Sequence, residues 1–113
     1  MSRHDKLRLQ DIKDAIQRIF EYTKGMSFSD FKEDRKTQDA VARNIEIIGE
    51  ASRTLSNELR GKHDSIPWTQ IISMRNVVIH EYFGILPDLV WNIIQTELPV
   101  LDKKLHSIIN EFS

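Results

Sequence analysis

The sequence predicts an all-α protein, an antiparallel four-helix bundle that forms one domain over residues 1–113. Apolar residues recur at the three- and four-residue spacing of amphipathic helices. The four glycines and three prolines mostly stand where such helices start or stop, and no internal repeat interrupts the pattern. A chain of this length buries roughly two-thirds of its unfolded surface. We therefore expect it to fold without disulfides, which its lack of cysteine rules out.

The first two helices are predicted by their apolar stripes and by the glycines that follow them. We expect a first helix over residues 5–24, with Gly25 as its stop, and then a connector over residues 26–34. A second helix is expected over residues 35–60, with Gly61 after it. At about 100° per residue, the stripe of the second helix spans roughly 80°. The core residues predicted in these helices are Ile12, Ala15, Ile16, Ile19, Phe20, Val41, Ile45, Ile48, Ser52, Leu55 and Leu59.

The last two helices are predicted between prolines and glycines. Pro67 suits a first helical turn, so we expect a third helix over residues 67–82, ended by Gly84. A fourth helix is expected over residues 87–112. Pro99 lies within it and removes one backbone donor, so we expect a kink there.

The third helix has an unusually wide apolar arc of about 220°, whereas a single core face needs much less. Either this helix is central to the bundle or one of its sides faces a second protein chain. Its polar stripe contains Asn76 and His80, one turn apart. The apolar arc consists of Trp68, Ile71, Ile72, Met74, Val77, Val78, Ile79 and Tyr82.

Arg75 lies inside this apolar arc, where a guanidinium must find an acceptor because an unpaired buried charge is costly. It can pair with a carboxylate such as Glu50, or extend to the surface. It can also bind an anion such as a phosphate. These alternatives stay open from the residues alone.

Three segments resemble one family. Residues 75–84 read R-N-V-V-I-H-E-Y-F-G, residues 66–68 read I-P-W, and residues 43–51 read R-N-I-E-I-I-G-E-A. In spacing and order they resemble the HepT toxins of the HEPN superfamily of all-helical ribonucleases. The match covers roughly residues 40–100 and implies a four-helix bundle of the HEPN type. One departure is the proline in Leu86-Pro87-Asp88, at the start of the last helix.

The resemblance implies a metal-independent endoribonuclease that is the toxin of a toxin-antitoxin module. RNA supplies its own 2′-OH nucleophile, so such an enzyme needs a proton-transfer group, a cation and alignment. His80 suits the first role, Arg75 the second, and Asn76 the orientation of His80 or of a phosphate oxygen. The antitoxin implied is an MNT-type nucleotidyltransferase that silences the toxin by adding AMP to Tyr82.

Helix geometry favours a homodimer, which the resemblance also implies. Arg75 and His80 are five residues apart, so in a regular helix they point about 140° away from each other. Two third helices that cross at a dimer interface would bring both residue types to one cleft.

Two acidic residues of the second helix, Glu46 and Glu50, lie one turn apart and repel each other unless nearby cations form ion pairs with them. Arg43 and Arg53 are each three residues from one of them. Two interpretations are open: a solvated surface network, or a supporting role in which Glu50 and Arg43 help to hold Arg75 or His80.

Composition sets further expectations. A net charge of −1 and a pI near 6.4 argue against bulk electrostatic coating of nucleic acid. No segment suits a transmembrane helix and the amino terminus lacks the pattern of a signal peptide, so a cytoplasmic location is expected, with no membrane contact. We expect no cofactor and no metal site, because the remaining histidines lack ligand-spaced companions. These histidines are His4, His63 and His106, and the tryptophans Trp68 and Trp91 are expected in the core.

Two rival functions remain. The chain can be a catalytically inactive helical binding module that engages a nucleotidyltransferase partner or a nucleotide. It can also act on a nucleotide or another small phosphate compound instead of RNA. The presence of both Arg75 and His80 favours the enzyme.

Overall fold

The structure, a computed structural model, describes residues 1–81 and 87–111, without the side chains of residues 77 and 79–81. All regular elements within these ranges are helices, which confirms the all-α prediction. None of the helices in these ranges combines the length and the apolar character that crossing a bilayer requires. The antiparallel four-helix arrangement stays a prediction, because the connection between the third and fourth long helices lies outside the described residues.

The first long helix, α1, spans Arg3–Thr23 and ends where predicted. Gly25 follows it with a φ of 78°, a left-handed conformation that glycine adopts without steric cost. The predicted connector is wrong in one respect, because it contains a short helix, α2, over Phe28–Lys32. Ser27 and Asp30 form a capping box at its start, in which each side chain bonds the backbone N–H of the other residue.

The predicted second helix is two helices, α3 over Arg35–Arg53 and α4 over Asn57–Lys62. The break has a tertiary cause. Both carboxylate oxygens of Asp5 in α1 accept hydrogen bonds from Ser56, one from its N–H at 2.9 Å and one from its hydroxyl at 2.6 Å. The same hydroxyl caps α4 by accepting the Leu59 N–H at 3.1 Å. The sequence therefore predicted the core residues Leu55 and Leu59 correctly, but not the end of the helix.

The third long helix, α5, spans Trp68–Glu81. The last long helix consists of α6 over Pro87–Asn92, a π-helical turn over Ile93–Glu97, and α7 over Leu98–Glu111. Pro99 cannot donate to the carbonyl of Gln95, and its ring would clash with that carbonyl in a regular helix. A wider, π-helical turn interrupts the regular helix just before Pro99, where we expected a kink.

The core is formed where α3 packs against both α1 and α5, with α7 on α1 and α2 between α3 and α6. Trp68 is buried, as predicted, and its indole N–H donates to the carbonyl of His63 at 3.1 Å. Trp91 is only half-buried and packs against Phe31, with ring centroids 5.3 Å apart. The largest fully buried residues are Leu9, Ile12, Ile16, Ile19, Phe31, Ile45, Ile48, Leu98 and Leu105.

Candidate active site at the crossing of two helices

The helices α3 and α5 approach each other closely at Gly49 and Arg75. A Cβ atom built on Gly49 would lie 2.6 Å from the Cβ of Arg75, closer than two non-bonded carbon atoms approach in proteins. No residue larger than glycine therefore fits at position 49 without moving α5. The absence of a side chain brings the backbone of Arg75 directly against α3.

Glu50 follows Gly49 and binds the Arg75 side chain. Its Oε1 forms an ion pair with Nε of Arg75, and its Oε2 accepts from Nη2 of Arg53 at 3.1 Å. The exposed fraction of the side chain is 32% for Arg75 and 37% for Glu50. The carboxylate thus joins a cation on its own helix to a cation on the neighbouring helix at the edge of solvent.

The two arginines hold Glu50 in its charged form. The hydrogen bond from Arg53 lowers the pKa of Glu50, and the charges of Arg53 and Arg75 act in the same direction. Burial has the opposite effect but is outweighed, so the pKa lies below its ordinary value. Glu50 is therefore an anionic anchor near neutral pH and not a group that exchanges protons there.

The two members of the acidic pair on α3 have different partners. Arg43 lies 3.7 Å from Glu46 and is mostly exposed, so these two form the solvated network. Glu50 instead forms an ion pair with Arg75, which is the contact that a supporting role requires. Arg43 and Glu50 line the same groove of about 320 Å³ between α1 and α3, but the ion pair of Arg43 is with Glu46.

The other predicted site residues are placed less completely. Asn76 follows Arg75 in α5 and is exposed. The backbone of His80 belongs to α5, but its side chain lies outside the described part of the structure, and so does Tyr82 as a whole. The structure therefore brings Arg75 and Glu50 together, with Asn76 as the next residue of α5, and leaves the roles of Asn76, His80 and Tyr82 as predictions.

The apolar arc of α5 is partly explained by packing within one chain. Trp68, Ile71, Met74 and Val78 are buried in the core, and Ile72 is half-buried. The side chains of residues 77 and 79 lie outside the described part. The packing of α5 on α3 thus accounts for part of the arc without a partner chain.

The remaining histidines make separate contacts. His4 bonds the carbonyl of Thr54 at 3.0 Å, His63 lies 3.9 Å from Glu111, and His106 bonds Asn110 at 3.1 Å. Within residues 1–81 and 87–111, apart from the four side chains excluded above, no group of three His, Asp or Glu side chains is placed to hold a metal ion.

Sequence reasoning missed the role of Gly49. A glycine inside a helical pattern is a signal for a close approach of another backbone, and Gly49 lies in the middle of a predicted helix. The residue that approaches it, Arg75, was not identifiable without the packing of α3 on α5. The sequence predicted Arg53 only as a possible ion-pair partner of the acidic pair on α3.

Within an all-helical domain, a carboxylate holds one partly exposed arginine, an arrangement that can offer a fixed cation to an anionic ligand. Comparison with known proteins identifies the family. The family model described as "Ribonuclease HepT-like" matches residues 12–108. The chain belongs to the HepT-like family of ribonucleases, and this membership supports a ribonuclease function.

Three similar proteins each align with more than nine-tenths of this chain. A protein of Thermococcus cleftensis named "Probable ribonuclease HepT" is 41% identical over 108 residues, which cover 96% of this chain and 98% of the relative. A Methanocaldococcus jannaschii protein named "Putative RNase" is 37% identical and covers 96% of this chain and all of the relative. A protein with the same type of name from Caldanaerobacter subterraneus is 40% identical over 91% of this chain and 92% of the relative. No solved structure matches the chain.

Proposed function

We propose that the protein is a metal-independent endoribonuclease and the toxin of a toxin-antitoxin module. The observation that supports this most directly is the state of Arg75. Its guanidinium is anchored to Glu50 through Nε, while the side chain stays about a third exposed, beside Asn76. A fixed and accessible guanidinium suits the charge that develops on a phosphodiester during cleavage.

In the proposed reaction the 2′-OH of RNA attacks the adjacent phosphorus. His80 accepts the 2′-OH proton, or donates a proton to the 5′-oxygen as the P–O5′ bond breaks. Arg75 stabilises the charge on the phosphoryl oxygens, and Asn76 orients His80 or a phosphate oxygen. The products are a 2′,3′-cyclic phosphate and a free 5′-OH, so no external nucleophile is consumed.

The active form is proposed to be a homodimer. The helix α5 is α-helical across positions 75 and 80, which places these positions about 140° apart around its axis. A second protomer that supplies the complementary residue would join both residue types at one phosphate. Sedimentation should therefore show a dimer at micromolar concentration, and a fully active monomer would contradict the composite site.

Cleavage itself is tested with purified His80→Ala and Arg75→Lys variants in buffer containing EDTA. His80→Ala should keep the helical circular dichroism signal and lose cleavage by roughly 10²-fold or more, as expected for removal of a general acid or base. Arg75→Lys should also be impaired, because an ammonium cannot replace the two-pronged contact of a guanidinium. Cleavage by His80→Ala at the wild-type rate would remove His80 from the mechanism.

Regulation is proposed to act through Tyr82, the family's modification site, by AMP transfer from an MNT-type nucleotidyltransferase. The phosphate of the attached AMP would compete with an RNA phosphate for Arg75. After incubation with such a partner and ATP, intact-mass spectrometry should show AMP on the wild type and none on Tyr82→Phe. Tyr22, the other tyrosine of the chain, offers the matched control, since Tyr22→Phe should gain AMP normally.

The binding-module alternative has a distinct result in the same experiments. The protein would be a binding module and not a nuclease if its folded, unmodified form cuts no RNA and still gains AMP on Tyr82 when incubated with the partner and ATP. Cleavage that requires an added divalent cation would contradict the metal-independent reaction.

A further inference from the structure

We infer that Gly49, Glu50 and Arg53 form a positioning unit on α3 that orients the Arg75 guanidinium toward the scissile phosphate, with Arg53 acting through Glu50. This inference rests on the proposed function, because it names residues that prepare the cation used in that reaction. None of the three needs to touch RNA. Each acts on the place or the direction of the Arg75 side chain.

Gly49 sets the distance between the two helices. The 2.6 Å separation between an added Cβ and the Cβ of Arg75 means that the side chain of Arg75 begins directly on the surface of α3. A guanidinium that starts so close to α3 has a short route to the carboxylate of the next residue. The spacing is therefore a condition for the ion pair.

Glu50 sets the direction of the guanidinium. It forms an ion pair at Nε, the inner nitrogen of Arg75, and so constrains the side chain at the base of the guanidinium. Arginine contacts with phosphate are frequently bidentate, and their strength depends on orientation as well as charge. A guanidinium anchored at Nε loses less rotational freedom when the phosphate arrives, since part of that freedom is already lost.

Arg53 fixes the carboxylate. It bonds Oε2 of Glu50 at 3.1 Å, which leaves Oε1 for Arg75. The Arg53 side chain is 59% exposed, and exposed pairs contribute little to folding stability. Its effect is thus expected on the orientation of Glu50, and through it on Arg75, more than on the stability of the protein.

The first experiment measures steady-state cleavage of an RNA substrate by single variants. Glu50→Ala should lower kcat by up to about 10²-fold, the size associated with a misplaced catalytic group. Arg53→Gln should lower kcat by a smaller factor, of about tenfold or less, and Arg53→Lys should recover part of the loss because an ammonium still reaches the carboxylate. The matched control is Arg35→Gln, which breaks the exposed 3.1 Å pair between Arg35 and Asp39 on the same helix and should leave kcat unchanged.

The second experiment separates positioning from general support of the fold. In Arg75→Ala, free guanidinium at up to about 50 mM, far below the molar concentrations that unfold proteins, should partly restore cleavage by binding beside Glu50. In the double variant Arg75→Ala/Glu50→Gln the same concentrations should restore at least tenfold less activity. A purely structural role of Glu50 would leave the rescue unchanged.

The outcomes distinguish this inference from the proposed function. If the wild type cuts no RNA, or Arg75→Ala cuts as the wild type does, the proposed function fails. If Arg75→Ala is inactive but Glu50→Ala and Arg53→Gln behave as Arg35→Gln does, only the positioning unit is overturned. Rescue by guanidinium that is independent of Glu50 would also overturn it.

Discussion

Two carboxylates, Asp5 and Glu50, each use both oxygens and each join their own helix to another segment, but they lie in opposite surroundings. Asp5 is only 3% exposed and receives neutral donors, the backbone N–H and the hydroxyl of Ser56. Glu50 is 37% exposed and binds two arginines. Neutral donors at a buried carboxylate hold two segments of the chain together and have no part in binding a further partner. Charged partners at the edge of solvent keep an outer side that a ligand can reach.

The largest effect on stability is expected at the buried carboxylate. Asp5→Asn keeps the size of the side chain but replaces an acceptor oxygen by an NH₂ group, which leaves one donor of Ser56 unpaired. Unfolding in urea, followed by circular dichroism, should show a loss of about 2 kcal/mol, typical of an unsatisfied buried polar group. The control is Asp14→Asn, at an exposed carboxylate of the same helix that bonds Gln10. Equal midpoints for the two variants would contradict the comparison.

A smaller loss is expected from Gly49→Ala, which adds one methyl group at the crossing of α3 and α5. The contact at 2.6 Å forces the helices apart, and because only one methyl group is added we expect a cost near the lower end of the roughly 1–3 kcal/mol range for overpacking. In contrast, Gly61→Ala in α4 meets no atom within 4 Å and should stabilise the protein by about 0.5 kcal/mol. Thermal unfolding should shift the two Tm values in opposite directions. Two increases would show that α5 is not held against α3 at Gly49.

Acid should remove the contribution of Asp5 to the free energy of unfolding. Burial alone would raise its pKa, but the bonds from Ser56, aided by the charge of His4, lower it below the ordinary value of 3.8. Because the folded pKa is the lower one, this stability is complete above that ordinary value and is lost as pH falls through it toward the folded pKa. The difference in unfolding free energy between wild type and Asp5→Asn should therefore be full at pH 7 and shrink below about pH 4. If the difference in unfolding free energy does not change with pH, the negative charge of Asp5 does not contribute to stability.

The smallest stability effect is expected at Glu50. Glu50→Gln should leave the urea midpoint of unfolding unchanged, because its ion pairs are partly exposed and screened. Cleavage should nevertheless fall, which would separate the two carboxylates by function as well as by burial. A large loss of stability in Glu50→Gln would show that this pair serves the fold, as that of Asp5 does.

The long helices followed from periodicity, and two errors have particular physical reasons. The break after Arg53 has no glycine or proline, and a contact with Asp5, some fifty residues earlier in the chain, produces it. The short helix α2 did leave a sequence signal, the Ser27 and Asp30 capping pair, within the predicted connector. Local patterns identify faces and caps, whereas distant partners decide where a helix stops.

The site, like the fold, was predictable from the sequence only in part. The pairing of Glu50 with Arg75 was one of the alternatives that the sequence offered, since an arginine in an apolar arc needs a carboxylate. The need for Gly49 could not be derived, because it depends on which residue of α5 lies opposite. Spacing paired Arg43 with Glu46, and the ion pair between them confirms that pairing.

The π-helical turn over Ile93–Glu97 has an evolutionary consequence. A π turn accommodates one more residue than an α turn, so it rotates the side chains on its two sides by roughly the 100° that one residue occupies. Before the turn Trp91 packs on Phe31 of α2, and after it Leu98 and Leu105 are buried in the core, where α7 contacts α1. A single inserted codon is enough to give one helix two differently directed faces. Homologues without that codon would present one continuous face, and their α2 would need a different partner.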